Sequence, residues 1–261
     1  MIRVTFVHQN CFVVELDHHL LVFDYIPDTA LLDCQPPIRL HGHLPLLPED
    51  KKLYFFVTNS QKDSYDPKIF EWLEKRKDTV YILPRDLKID GATKRKYGLS
   101  MATRKRVKRM GVRQNLEVGD LEIYTLNPNT IGVAYFVTCE GLRIYHAGDL
   151  NWWNWGVERE LYSQMSGANY KRELRHLKEK HIDLAFVDLD GRLGDGARLG
   201  MSYFLRHIPA DLVFPMHLWQ DYGQIRAVKE DPELRGLADK VVSIDRENIV
   251  YEIPDDRRSP S

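Results

Sequence analysis

The sequence predicts a mixed α/β protein, a β-sandwich carrying helices on its outer faces. Two observations lead there. Strands dominate early in each half of the chain, and helices alternate with strands later. A hairpin whose second strand exits onto a carboxylate also occurs twice, at Asp24 and at Asp149. The two halves, roughly 1–120 and 121–253, therefore read as related. We expect one domain over residues 1–253 and a polar tail over 254–261.

In chain order, Val4, Phe6 and His8 alternate with Thr5 and Val7 as one strand. Phe12 to Leu16 and Leu20 to Phe23 form a hairpin around Asp17-His18-His19. Residues 27–50 are rich in Pro and His without a period, and are expected to form a loop with a short helix near Pro45 to Asp50. Leu53 to Val57 is a buried strand. Pro67 opens a helix to about Lys75, where its missing N–H has no intrahelical partner to lose. Thr79 to Leu83 is a short strand. In the second half, Leu121–Leu126, Val133–Val137 and Leu142–Tyr145 are strands. A helix follows from Glu158 to Lys178, then a strand over Ile182–Val187, a helix over Tyr203–Ile208 and a strand over Asp211–Phe214. A helix around Gln224 to Val228 and strands near Val241–Ile244 and Ile249–Ile253 close the chain.

Composition excludes several classes. An apolar content of 43% and an aromatic content of 11% are globular, not disordered. No run reaches the roughly 18 apolar residues of a membrane span, so no membrane partner is expected. Cys11, Cys34 and Cys139 are odd in number and widely spaced, which fits reduced packing thiols and a cytoplasmic protein. A net charge of −1 gives no global attraction to nucleic acid. Charge is nevertheless concentrated locally. Nine Lys or Arg and no acid lie between Lys94 and Arg113, including Lys94, Arg95, Lys96, Arg104, Lys105, Arg106, Lys108 and Arg109. This segment is either a solvated surface or a patch that contacts an anion or nucleic acid.

Four strand exits carry polar clusters: Thr58-Asn59-Ser60-Gln61-Lys62-Asp63-Ser64-Tyr65, His146-Ala147-Gly148-Asp149, Val187-Asp188-Leu189-Asp190 and Pro215-Met216-His217. With the order of elements, I-Y-H-A-G-D-L-N-W-W and F-P-M-H-L-W resemble the metallo-β-lactamase-fold superfamily, in particular its UlaG-like hydrolases. The resemblance spans roughly residues 1–253, and its most specific part is His146 to Trp155. It implies a four-layer αββα sandwich with a metal site at one edge of its two sheets. The family's T-H-x-H-x-D-H motif corresponds to Thr58 through Ser64. Asn59, Gln61 and Ser64 stand in place of its three histidines, and Asp63 alone survives. Asp149 matches the bridging aspartate and His217 the last histidine. The loop Asn127 to Ile131 has no histidine for the third motif. His8, four residues before Phe12, is similar to an H-x-x-x-F stretch of the group and is not one of these ligands.

The resemblance implies that one metal position is lost, because carboxamide oxygens are weak, neutral ligands beside imidazoles. Of the other position, Asp63, Asp149 and His217 remain, with Ser64 in fourth place. Two outcomes stay open. The cluster could hold one weakly bound Zn²⁺, Mn²⁺ or Mg²⁺ and act as a mononuclear hydrolase of a lactone, ester or phosphodiester, with Asp63 or Asp190 as base. Alternatively it holds no metal. A protonated His217, Lys62 or Arg192 would then compensate the carboxylates, and the protein would be a pseudoenzyme with a polar pocket. Loss of three histidines within one motif favours the second. A small molecule or a protein is the expected partner.

Other residues are read more plainly. His146 is expected to pack beside the pocket. Trp152, Trp153 and Trp155 would shield it or form an aromatic wall. Asp188, Asp190 and Arg192 would line it or brace it. His18-His19 and His41-Gly42-His43 read as surface residues. No nucleophile elbow, P-loop or dinucleotide fingerprint is present.

Overall fold

The computed structural model describes residues 1–27, 37–128 and 130–255, and the backbone of 29–31. Cys34 and most of the expected tail lie outside the described residues. The chain divides into two compact units. One comprises residues 1–109 with the segment from Arg246, and the other residues 110–245.

The elements of the first unit are β1 (Ile2–His8), β2 (Cys11–Glu15), β3 (His19–Phe23), β4 (Thr29–Leu31), β5 (Ile38–Leu40), β6 (Lys52–Phe56), α1 (Trp72–Lys75), β7 (Val80–Pro84), α2 (Gly91–Lys96) and β8 (Val107–Met110). Those of the second are β9 (Asn115–Val118), β10 (Leu121–Leu126), β11 (Ala134–Cys139), β12 (Leu142–His146), α3 (Glu160–Leu174), β13 (Ile182–Asp188), α4 (Leu199–His207), β14 (Ala210–Met216) and α5 (Gly223–Lys229). The last strand, β15 (Ile249–Ile253), returns to pair antiparallel with β1.

The first unit holds a seven-stranded sheet, β15-β1-β2-β3-β6-β7-β8, and the small pair β4-β5. β1, β2 and β3 form an antiparallel meander, and β3, β6 and β7 run parallel. β3 is buried along its whole length, as an interior strand covered on both faces should be. One face is covered by Ile69, Phe70, Leu73 and Tyr97, which pack with Val22, Phe55 and Tyr81. Tyr81 stacks on Phe55 at 5.6 Å and donates its hydroxyl hydrogen to the Ile69 carbonyl. A buried phenol thus finds an acceptor.

The second unit holds a six-stranded sheet, β14-β13-β12-β11-β10-β9. β9 to β12 are antiparallel neighbours, and β12, β13 and β14 are parallel. α4 packs Phe204 flat on Tyr145 of β12, with centroids 5.6 Å apart. α3 contributes fully buried Tyr170, which donates to the Gly200 carbonyl of α4.

Several local expectations are corrected. Residues 27–50 contain the strand pair β4-β5, and no helix forms over 45–50. Pro48 has no N–H to close the first turn of such a helix. The helix from Pro67 begins as a 3₁₀ turn, with Asp66 accepting the Lys68 N–H at 2.7 Å, and becomes α-helical at Trp72. α4 starts at Leu199, earlier than Tyr203. The strand near Val241–Ile244 reduces to one bridge between Val241 and Val213. β9 and α2 were not expected. α2 is capped by Asp90, which accepts the Thr93 N–H.

Candidate functional site

In the first unit, the exit of β3 fixes the start of the 58–65 loop. Asp24 is fully buried at φ 46°, a left-handed conformation uncommon outside glycine. Its carboxylate accepts the Thr58 N–H at 2.7 Å and the Thr58 hydroxyl at 2.6 Å. His8, also buried, donates from Nε2 to the Ile26 carbonyl at 2.8 Å, pinning the segment after Asp24.

The residues that the resemblance sets at histidine positions are tied to one another. Ser64 Oγ accepts from Asn10 Nδ2 at 3.2 Å and from Asn59 Nδ2 at 3.3 Å. Asn59 Oδ1 accepts the Gln61 N–H at 2.8 Å, and its Nδ2 also approaches Thr58 Oγ1. Asn59 and Ser64 are buried, whereas Gln61 and Lys62 are exposed. Asp63 is buried at the same loop. Of the two carboxamides there, Asn59 already accepts within the loop through Oδ1, and Gln61 is exposed. These residues do not fit the first metal of a dinuclear centre.

The second unit carries the other half of the expected residues. His217 follows β14 at φ 60°, and Trp219 and Gln220 are also left-handed. Three strained positions within four residues mark a loop held by its surroundings. His217 Nδ1 lies 3.0 Å from Asp190 Oδ2 and 3.2 Å from Trp219 Nε1. It cannot both donate to one and accept from the other. The carboxylate is the nearer and the charged partner, so we assign the Nδ1 proton to Asp190. Asp190 also receives both Nε and Nη2 of Arg192 in a fork, at 2.9 Å and 2.5 Å, and caps its own turn through the Arg192 N–H. Burial alone would raise the Asp190 carboxyl. Hydrogen bonds from His217 and Arg192 outweigh that and hold it well below the usual carboxylate range.

Aromatic rings enclose this histidine. Trp153 meets the His217 ring edge-on at 5.4 Å, and Trp219 does so at 5.3 Å. Arg192 lies over the Trp219 ring at 3.8 Å. Trp153 Nε1 donates to the Asp149 carbonyl at 2.9 Å, so one indole touches both Asp149 and His217. Thr130 donates to the Asp149 carboxylate at 3.2 Å.

The remaining expected residues fall elsewhere. His146 is fully buried, accepts the Gly148 N–H at Nδ1 and packs on Phe186, which fits its reading as a packing residue. Trp152 faces α3, with Lys171 Nζ 3.9 Å above its ring. Asp188 is fully buried, and its charge acts on Tyr145 and Tyr170. His41 and His43 are exposed, as is His18, while His19 is buried against Tyr54. Of the basic segment, Arg106 donates to the carbonyls of Leu73, Arg76 and Thr79, and Arg109 to those of Pro84 and Leu87. Asn10, Thr130 and Trp219 were not singled out from the sequence. Only Trp219 left a signal there, as an aromatic two residues beyond the strand-exit histidine.

No protein-family model and no curated protein sequence matches the chain. Solved structures do. Igni18, a metallo hydrolase from the hyperthermophilic archaeon Ignicoccus hospitalis, is 16% identical with a TM-score of 0.57, over 97% of this chain and 99% of that one. An isothiocyanate hydrolase from Delia radicum gut bacteria is 13% identical with a TM-score of 0.56, over 96% and 99%. The metallo-β-lactamase-fold protein YhfI from Bacillus subtilis is 14% identical with a TM-score of 0.54, over 97% and 100%. The chain has the metallo-β-lactamase fold.

Proposed function

We propose that this protein is a divergent, UlaG-like metallo-β-lactamase-fold protein that no longer carries out dinuclear hydrolysis and keeps a polar pocket for binding. The observation that carries this reading is the Ser64 hydroxyl, shared as an acceptor by Asn10 and Asn59. Three side chains at and beside the positions that the resemblance gives to histidines are hydrogen-bonded to one another, which supports a loop held together without an ion. A metallo hydrolase and an isothiocyanate hydrolase with this fold give the reaction class, hydrolysis, from which it would have diverged.

A second reading rests on Asp190. A carboxylate that accepts a hydrogen bond from the Nδ1–H of His217 leaves Nε2 as the basic ring nitrogen, the arrangement typical of a metal-bound histidine. Asp149 and His217 would then be the residues in the second unit that hold a single Zn²⁺, Mn²⁺ or Mg²⁺. Such an ion would supply a water of lowered pKa. Asp190, already held by Arg192 and His217, would position the histidine instead of serving as base.

Metal content of the purified protein, followed by Zn²⁺ and Mn²⁺ titration with thermal melts, decides between them. On the first reading the protein carries no stoichiometric metal, and millimolar ion leaves Tm unchanged. Uptake of about one equivalent with a rise in Tm, abolished by His217→Ala, would overturn it in favour of the single-ion hydrolase.

A further inference from the structure

We propose that the groove beside α2 and β8 in the first unit is a binding site for a fatty-acid-type carboxylate, a ligand with one anionic head and an apolar chain. The groove encloses about 540 Å³, within the range of small-molecule sites. Ile89, Leu99, Met101 and Val107 give it an apolar lining, and Met101 is 78% exposed. Lys94, Arg104 and Arg109 supply three positive charges, and no acidic residue lines it.

The cations are of two kinds. Arg109 is fixed by the Pro84 and Leu87 carbonyls and provides a charge that cannot swing away. The Lys94 and Arg104 side chains are exposed and make no ion pair or hydrogen bond with the described residues. They are available to a ligand. An arginine fork and a lysine together suit a carboxylate that accepts charge-assisted hydrogen bonds. The intervening loop is already built. Thr103 Oγ1 accepts the Ser100 N–H at 2.9 Å, and the Leu99 N–H donates to the Lys94 carbonyl at 2.9 Å. Little ordering is therefore left to oppose binding.

Charge and lining together choose the ligand. Inorganic phosphate would leave the four apolar side chains in water. A single-stranded nucleic acid would lack stacking surfaces, because no aromatic ring lines the groove. An uncharged chain would leave the cations unused. The site stands apart from the metal question, since none of its residues is a family ligand position. It does adjoin the 58–65 loop, for the Arg109 charge acts on Tyr65.

Isothermal calorimetry of the full chain with laurate, below its micelle concentration, tests this. Laurate should bind at about one equivalent, and Lys94→Ala with Arg104→Ala should weaken it about ten-fold or more. Both side chains are exposed, so the double variant should melt like the parent. Met101→Ser, also at an exposed position, should weaken laurate without changing the charge of the groove. Dodecanol should bind at least about ten-fold more weakly than laurate. Four results would overturn the proposal: no laurate binding at millimolar concentration, undiminished binding by the double variant, phosphate binding as tightly as laurate, or displacement of laurate by oligo-dT.

Discussion

Glu173 is the residue whose chemistry can be tested most directly. Its fully buried carboxylate on α3 accepts from the Arg113 guanidinium and, at 3.0 Å, from the Asn127 N–H. It thereby ties Arg113, just before β9, and Asn127, just after β10, to one helix. Burial alone would raise its carboxyl, but the hydrogen bonds from Arg113 and Asn127 and the Arg113 charge bring it below the ordinary value of 4.5. A carboxyl lowered by folding contributes stability that is present above its unfolded pKa and is lost as pH falls through the folded value. We expect Glu173→Gln to cost about 2 kcal/mol in urea unfolding at neutral pH. The gap should close as pH drops below about 4.5. A difference that stays constant down to pH about 3 would show that packing, not ionisation, is what the variant removes. The nearest sequence signal was negative: no histidine at 127–131. The partner that occupies this loop lies about 45 residues away in the chain, beyond any local pattern.

At the scale of elements, the loop after β12 is laid onto α3 and α4 through small residues. Ser166 Oγ accepts the Trp153 N–H at 2.8 Å, and Ser163 Oγ accepts the Trp155 N–H at 3.1 Å. Gly167 leaves room for the Trp152 indole, and Gly200 for Asn151. A Cβ at Gly200 would lie 1.9 Å from Asn151 Oδ1 and 3.3 Å from the Trp152 nitrogen. Asn151 is buried and its Oδ1 already accepts the Trp152 N–H at 2.8 Å, so it cannot simply turn away. We expect Gly200→Ala to destabilise by about 1–3 kcal/mol and to alter the near-UV circular dichroism of the tryptophans. A change within about 0.5 kcal/mol with an unaltered spectrum would mean that the loop is not seated in this way. The helix over Glu158–Lys178 was legible from its pattern, and α3 with its flanking 3₁₀ turns spans it. That its serines and glycine serve as a seat for tryptophans was not, because small residues carry no periodic signal.

For the whole molecule, the charge distribution decides which partners are open to it. Arg106 and Arg109 spend their guanidinium hydrogens on backbone carbonyls, and Arg113 on Glu173. Six of the nine cations between Lys94 and Arg113 then remain for an external anion. Any duplex DNA binding should therefore have a log–log salt slope no steeper than about −5. A steeper slope in filter binding would mean that a larger surface takes part. No helix among the described residues is long and apolar enough to cross a membrane.

The sequence by itself determined the fold and which residues to ask about at the candidate site. Strand periodicity, the two exit carboxylates and the contrast between Thr58–Ser64 and the retained Asp149 and His217 are all local patterns, readable over a few residues. Tertiary structure decided what the side chains of Thr58–Ser64, Asp149 and His217 contact. The Asn10–Ser64–Asn59 network, the Asp190–His217 pair and the Trp153 and Trp219 rings join residues brought together only by folding. It also divided one basic run into structural arginines and a lined groove. The reason is physical: a side chain's hydrogen-bond partners are set by where the backbone returns, and single-chain spacing does not encode that distance.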